Sequence, residues 1–419
     1  MNSFMIFDHL NDLIFFKYNA NFEEHLKKLA VNYGLLEQNV ASQVDKNIVI
    51  QMFSPIVSSH RIMHFEFGNS YSSVDFSKEL KMSFCEVMGY LFILISDGKN
   101  DHLLKVFITL AKYVCGPDFN QFNTCLAKSE LYTKLIDEYL NLQSTNQAIK
   151  TESIEQLMVN VEITSTCLQI LKESISKMSV HTECSKVHAL LFVDTKLLTL
   201  YSSVNAKPLS SADILFFTVF IQCAENESFQ LFLAGTEVEP SCFLHAVHVV
   251  RIFENMFVIY VVEDGNSPIT AALYEVFYHL HRLRFIQVQR EKESIQLGYE
   301  NLELAVRKLR ESLKKSKNRT LDTVYKVLMK KWDVIKAKYK EYLTTSADEH
   351  ILRAEGLAIN FMDVLKEISN YIVKNDSVLK CSGAHVSSAT SLIIGKLGDF
   401  TEYFKTKGIK NFSLGSYPF

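Results

Sequence analysis

The strongest constraint on this chain is a unit that occurs twice. Phe4–Leu29 reads FMIFDHLNDLIFFKYNANFEEHLKKL, and Leu190–Phe217 reads LLFVDTKLLTLYSSVNAKPLSSADILFF. Each passes from an apolar run through a short polar turn with Asp to a second apolar run, a polar loop and an amphipathic helix. Strand-like runs and a closing helix follow in both cases. The chain must therefore build the same α+β arrangement twice, in the order β-β-α-β-β-β-α.

In the first copy, Met5–Phe7 and Leu13–Tyr18 predict a hairpin. Phe22–Tyr33 predicts a helix with Phe22, Leu26 and Leu29 on one face and Gly34 as its C-terminal stop. Asn47–Val57 suggests more helix. Tyr71–Phe76, Met82–Met88 and Tyr90–Ser96 are rich in β-branched and aromatic residues and predict strands. His102–Cys115 closes the copy as a helix, with Asp101 as its cap. In the second copy, His188–Val193 and Leu197–Tyr201 precede a helix capped by Ser210 or Ser211. Phe229–Ala234, Phe243–Arg251 and Met256–Glu263 follow as strands, and Pro268 opens the last helix.

The expected organisation is a first domain over 1–120, a helical connector over 121–186, a second domain over 187–290, a basic helical segment over 291–365 and a third unit over 366–419. Between Arg282 and Lys340 there are 17 Lys plus Arg against 7 Asp plus Glu. Two apolar seams run through that segment at steps of three and four, Ile295 to Leu313 and Leu321 to Tyr342, with KKSKNR between them. They predict two long packed helices. The basic surplus, centred on Lys314, Lys315, Lys317 and Arg319, reads either as a solvated helix surface or as a contact for anionic membrane or an acidic partner. Tyr371–Val373 and Val378–Cys381 flank a Lys-Asn-Asp-Ser turn, Ser387–Phe404 is helical, and Lys410–Leu414 suggests a strand. That pattern predicts the opening of a third β-β-α unit, incomplete and the least well packed part of the chain.

Composition and motifs narrow the function. Eight cysteines without a C-x-x-C pair, most of them inside apolar runs, fit reduced buried thiols. The N-terminus lacks the basic region of a signal peptide, and no apolar run approaches a membrane span. These features predict a cytoplasmic protein. No G-x-x-x-x-G-K-[ST], G-x-G-x-x-G, G-x-S-x-G or H-E-x-x-H occurs, so no cofactor and no covalent chemistry are expected. His60 and His64 have metal-compatible helical spacing but no third ligand, and His245 and His248 would face opposite sides of a strand. Aromatic residues sit in apolar runs rather than interleaving with Arg, which argues against nucleic acid.

The β-β-α start, further strands and closing helix follow the longin plan, in which helices flank an antiparallel five-stranded sheet. The second copy, HALLFVDTKLLTLYSSVNAKPLSSADILFFTVFIQ, resembles the Hermansky–Pudlak syndrome 1 protein family through K-L-L-x-x-Y-S-S at Lys196–Ser203 and L-x-x-A-D-[IL]-L on the following helix. FFKYN, FEEHL, FSPIVSS and YLFILISDG in the first copy, and IIGKLGDFTEYFKTKGIKNFSL near the end, resemble it as well. The resemblance implies tandem longin domains and pairing with the Hermansky–Pudlak syndrome 4 protein. The pair would be an exchange factor for Rab GTPases of the 32/38 type, acting at endosomal or lysosome-related organelle membranes through peripheral contact. By analogy with related exchange factors, the interface falls on Phe22, Leu26, Leu29, Tyr71, Val74 and Phe76. Two other readings stand beside it: a longin scaffold or tether without exchange activity, and a ligand-sensing domain of the PAS or GAF type.

Overall fold

A computed structural model describes residues 3–36, 44–67, 69–75, 80–97, 101–178, 186–235, 242–289, 291–316, 319–345, 348–374 and 377–407. The first copy forms β1 (Ser3–Phe7), β2 (Leu13–Tyr18), α1 (Ala20–Asn32), α2 (Lys46–Phe67), β3 (Ser73–Asp75), β4 (Lys81–Val87), β5 (Tyr90–Ser96) and α3 (Asp101–Cys115). Helices α4 (Gln121–Thr124), α5 (Leu126–Thr145), α6 (Gln147–Lys150) and α7 (Val161–Met178) lead onward. The second copy forms β6 (Val187–Val193), β7 (Lys196–Ser202), α8 (Ser211–Cys223), β8 (Ser228–Leu233), β9 (Phe243–Phe253), β10 (Met256–Glu263) and α9 (Ser267–Gln289). Four long helices follow among the described residues: α10 (Lys292–Lys315), α11 (Arg319–Thr345), α12 (Asp348–Lys374) and α13 (Ser377–Lys407).

Each copy builds a five-stranded antiparallel sheet, ordered β2-β1-β5-β4-β3 in one and β7-β6-β10-β9-β8 in the other. The chain divides into two compact units. The first holds the first sheet, the helices up to the front half of α5, and α9 to α12. The second holds the rest of α5, α6, α7, the second sheet with α8, and α13.

The first sheet is covered on both faces, which is why its inner strands read as unbroken apolar runs. Met5, Phe7, Leu91 and Ile93 meet Leu26 of α1 and Val49, Phe53 and Val57 of α2. The alternate residues meet α3 to α5 through rings: Phe4 lies 5.2 Å from Phe107, and Phe15 4.8 Å from Tyr132. Gly34 ends α1 at φ +70°, the left-handed stop that glycine adopts without steric penalty. Both expected seams of the basic segment are buried in this unit, with only Tyr325 half-buried. Tyr299 stacks on Trp332, which tilts against Phe361 of α12.

In the second unit, α7 and α13 lie on one face of the sheet. Val187, Ala189 and Leu191 of β6 and Val258, Tyr260 and Val262 of β10 meet Cys167, Leu171 and Ile175 of α7. Val386, Ala389, Ile393 and Leu397 of α13 join the same core. His248 of β9 fastens the helix, its Nε2 lying 2.7 Å from the Ser382 hydroxyl.

This corrects the expected third unit. Tyr371–Val373 lies inside α12 and Val378–Cys381 opens α13, so neither is a strand. Short β-branched runs around a polar turn are ambiguous locally. The apolar spacing that continues through Ile393 and Leu397, together with the core waiting under it, makes the segment helical. Nor is α13 poorly packed over Val378–Leu397, where it supplies part of the second unit's core. The expected strand at Lys410–Leu414 lies outside the described residues.

A candidate docking edge on the first sheet

Among the described residues, the outer edge of the first sheet is β3, paired with β4 alone: Ser73 faces Ser83, Val74 faces Met82 and Asp75 faces Lys81. The Phe84 N–H donates to the Ser72 carbonyl at 2.8 Å. Because hydrogen-bonded and non-bonded pairs alternate in an antiparallel ladder, Val74 bonds inward while Ser73 and Asp75 turn their N–H and C=O groups outward. The edge thus offers a short row of backbone groups aimed away from its own sheet.

Beside it runs α2. Its inner face carries Val49, Phe53, Val57, His60 and Arg61 into the unit, while Pro55, Ile62, Met63 and Phe67 stay on the outside. Phe67 is 69 % exposed and Ile62 53 %. Tyr71 ties the approach to β3 to this helix: its hydroxyl donates to the Ile56 carbonyl at 3.2 Å, and its ring meets Phe84 and His60 edge-on. His60 stacks on Phe84 at 5.3 Å. Burial, and then the neighbouring His64 and Arg61, push its imidazole down to about 4, so it stays neutral and packs as a ring rather than as a ligand. Among the described residues no group of three His, Cys, Asp or Glu is placed to hold a metal.

Arg61 anchors the far end. Its guanidinium donates to the carbonyls of Asp8 and Gly89, gripping the β1–β2 and β4–β5 turns together, and lies 3.7 Å from the buried carboxylate of Glu86. His64 lies 3.8 Å from the same carboxylate.

The predicted contact residues divide. Leu26 is 3 % exposed and belongs to the core under α1, so its side chain is not on the surface. Phe22 and Leu29 on α1 and Val74 on β3 are half-buried, as is Tyr71 before β3. Phe22 lies face to face with Phe53. Phe76 lies outside the described residues. Lys314 and Lys315 are exposed in the last turn of α10, far in the sequence from this edge. Lys317 is outside the described residues, and Arg319 is the first residue of α11. Part of the basic surplus is locally answered, by Lys308 with Glu275, Lys336 with Glu303, and Lys331 with the Asn360 carbonyl. The outer face of α2 escaped sequence reasoning. Its signal was the apolar IMHFEF run, masked because apolar residues also line the opposite face.

The second sheet treats its edges differently. β7 is closed by the chain itself, with Leu157 N–H donating to Leu197 and Leu197 N–H donating to Glu155, both at 2.9 Å. At the other edge, the amides that follow β8, Ala234 and Gly235, are taken up by Asp213.

Residues 2–142 match the family model of the first longin domain of FUZ, MON1 and HPS1, and residues 184–280 match the model of the second. No curated protein matches the chain. The two matches cover both sheets, in agreement with the longin plan and not with a PAS or GAF domain.

Proposed function

For a chain that belongs to the longin-domain family of FUZ, MON1 and HPS1, we propose a role as one subunit of a heterodimeric guanine-nucleotide exchange factor for a Rab GTPase in membrane traffic. The observation that carries this reading is the pairing of two family longin domains with a β3 edge that is open among the described residues, together with exposed apolar side chains on the outer face of α2. Backbone groups at an edge supply affinity through strand addition, and adjacent apolar side chains supply selectivity. The occupant proposed for this edge is the longin domain of a partner subunit.

Exchange of this kind needs no covalent step. The factor binds the open, nucleotide-poor GTPase better than the closed one, and that differential affinity lowers the barrier to GDP release. The finer reading follows the resemblance of Lys196–Ser203: the partner is the Hermansky–Pudlak syndrome 4 protein, the GTPase is of the 32/38 type, and the chain works in the cytoplasm at the surface of lysosome-related organelles. No helix among the described residues is long and apolar enough to cross a membrane, so a peripheral contact is the form proposed.

The test is co-expression with that partner, followed by release of fluorescent GDP from the Rab. Acceleration by the purified pair supports the reading. A well-formed heterodimer that leaves release unchanged supports a scaffold instead, and failure of the two chains to associate removes the docking edge from the account.

A further inference from the structure

A cavity of about 270 Å³ lies between α9 and α10 in the first unit. The two helices approach closely at Gly298, where a Cβ atom would stand 2.9 Å from the Leu283 side chain. His279 and Arg282 line the cavity from α9, one turn apart. Ser294 and Asn301 line it from α10, with Ile286 and Leu297 as aliphatic walls. Among the described residues the lining therefore carries a guanidinium, an imidazole, a hydroxyl and an amide, and no carboxylate.

Ser294 stands in the first turn of α10, whose N-cap residue Glu291 makes no side-chain cap. The partial positive charge of that helix end adds to Arg282. Two carboxylates stand at that helix end outside the lining, Glu291 and Glu293. Glu291 accepts the Ser294 hydroxyl at 3.0 Å, and an anion entering the cavity would take over that donor.

We propose that the α9–α10 cavity binds a phosphomonoester, its oxygens held by Arg282, His279 and Ser294 and its organic part lying against Ile286 and Leu297. Arg282 gives the planar fork that suits phosphate oxygens. The ester could come from a lipid headgroup or from a soluble metabolite, and the two share this chemistry. Neither the partner subunit nor a GTPase is needed for binding.

The full chain is titrated with glycerol 3-phosphate by calorimetry, and floated with phosphatidylcholine vesicles with and without phosphatidylinositol 4-phosphate. Binding in either arm is expected, and the arm that responds identifies the source. Arg282→Gln should weaken it about tenfold or more. Glu291→Gln, which removes the competing charge, should tighten it. Replacing Lys314 and Lys315 by Gln should leave it unchanged. Arg282 is exposed, so its variant should keep the parent melting temperature, and His279→Gln serves as a second variant for the same measurement. Absence of binding in both arms overturns the proposal. So does binding that survives Arg282→Gln but falls with the two lysines, which would mark a diffuse basic surface.

Discussion

The carboxylate of Asp213 accepts the backbone N–H of Gly235 at 3.0 Å, joining the first turn of α8 to the end of β8. The same buried group accepts the N–H of Ala234 and both the N–H and the hydroxyl of Ser210, while the Ser210 hydroxyl accepts the Asp213 N–H. This is a capping box whose acidic member also latches a strand. The Asp of the A-D-[IL]-L motif is thus structural. Asp213→Ala should cost about 3 kcal/mol, because it strands several buried donors at once, whereas Ser210→Ala should cost about 1 kcal/mol. Urea midpoints compare the two. Equal losses would show that the latch to β8 contributes nothing beyond the cap.

Arg61 and Glu86 form a second buried relationship, with side chains 10 % and 3 % exposed. Arg61→Leu should cost about 3–5 kcal/mol, since it leaves Glu86 buried without its cation and also removes the donor shared by the Asp8 and Gly89 carbonyls. Adding Glu86→Leu should restore part of that loss. A double variant no more stable than Arg61→Leu alone would mean that the turn contacts, not the charge pair, carry the effect.

At the docking edge, backbone parity makes a sharp test possible. Ser73 directs its N–H away from β4, so Ser73→Pro removes an outward donor without breaking the sheet's own ladder. The melting temperature should hardly move, while association with the partner subunit should fall steeply in a pull-down from co-expressing cells. Gln230→Pro places the same change on β8, where the parity set by Val249 N–H donating to Glu227 also turns residue 230 outward, and should leave association intact. The reverse outcome would move the docking edge to the second sheet.

What was legible in the sequence followed the range of the interactions that decide each element. The two hairpins, Gly34 as a helix stop, Ser210 as a cap and Pro268 near the start of α9 are settled by residues within a turn or two, and all stand as expected. The seams Ile295–Leu313 and Leu321–Tyr342 are long enough for their period to be unmistakable. Where the deciding contacts were distant, local reading stopped short. Helix α2 runs ten residues past Val57, because its apolar residues ring the helix and blur the period. Segment Val378–Cys381 has strand-like composition and folds as helix because α7 and β9 offer it a face to cover. Arg61 and Glu86 lie in unrelated segments, and nothing near either one announces the other.

Acid should loosen the second unit through its buried histidines. His188, His245 and His248 are each pushed down to about 4, first by burial, with His245 adding to the effect on His188. Their surroundings favour the neutral ring. Ser228 and Ser382 occupy the two nitrogens of His248 and Ser202 meets His188, whereas the Phe243 carbonyl, which accepts from the His245 ring, works the other way and is outweighed by burial. The folded values lie below the usual 6.5, so the unfolded chain binds more protons between the two. Stability is therefore complete above the unfolded value and is lost as pH falls toward the folded one. Each histidine contributes on the order of 3 kcal/mol, at a slope of about 1.4 kcal/mol per pH unit in the intervening window. His60, also pushed to about 4, adds the same dependence to the first unit. Urea midpoints measured from about pH 7 to about pH 5 should fall steadily, with α13 released early because His248 holds it to β9. His248→Gln should flatten the slope by about one proton, even if the variant is less stable throughout. A midpoint that stays level across that range would show that these rings titrate alike in both states, and so are not enclosed as the sheet and α13 place them.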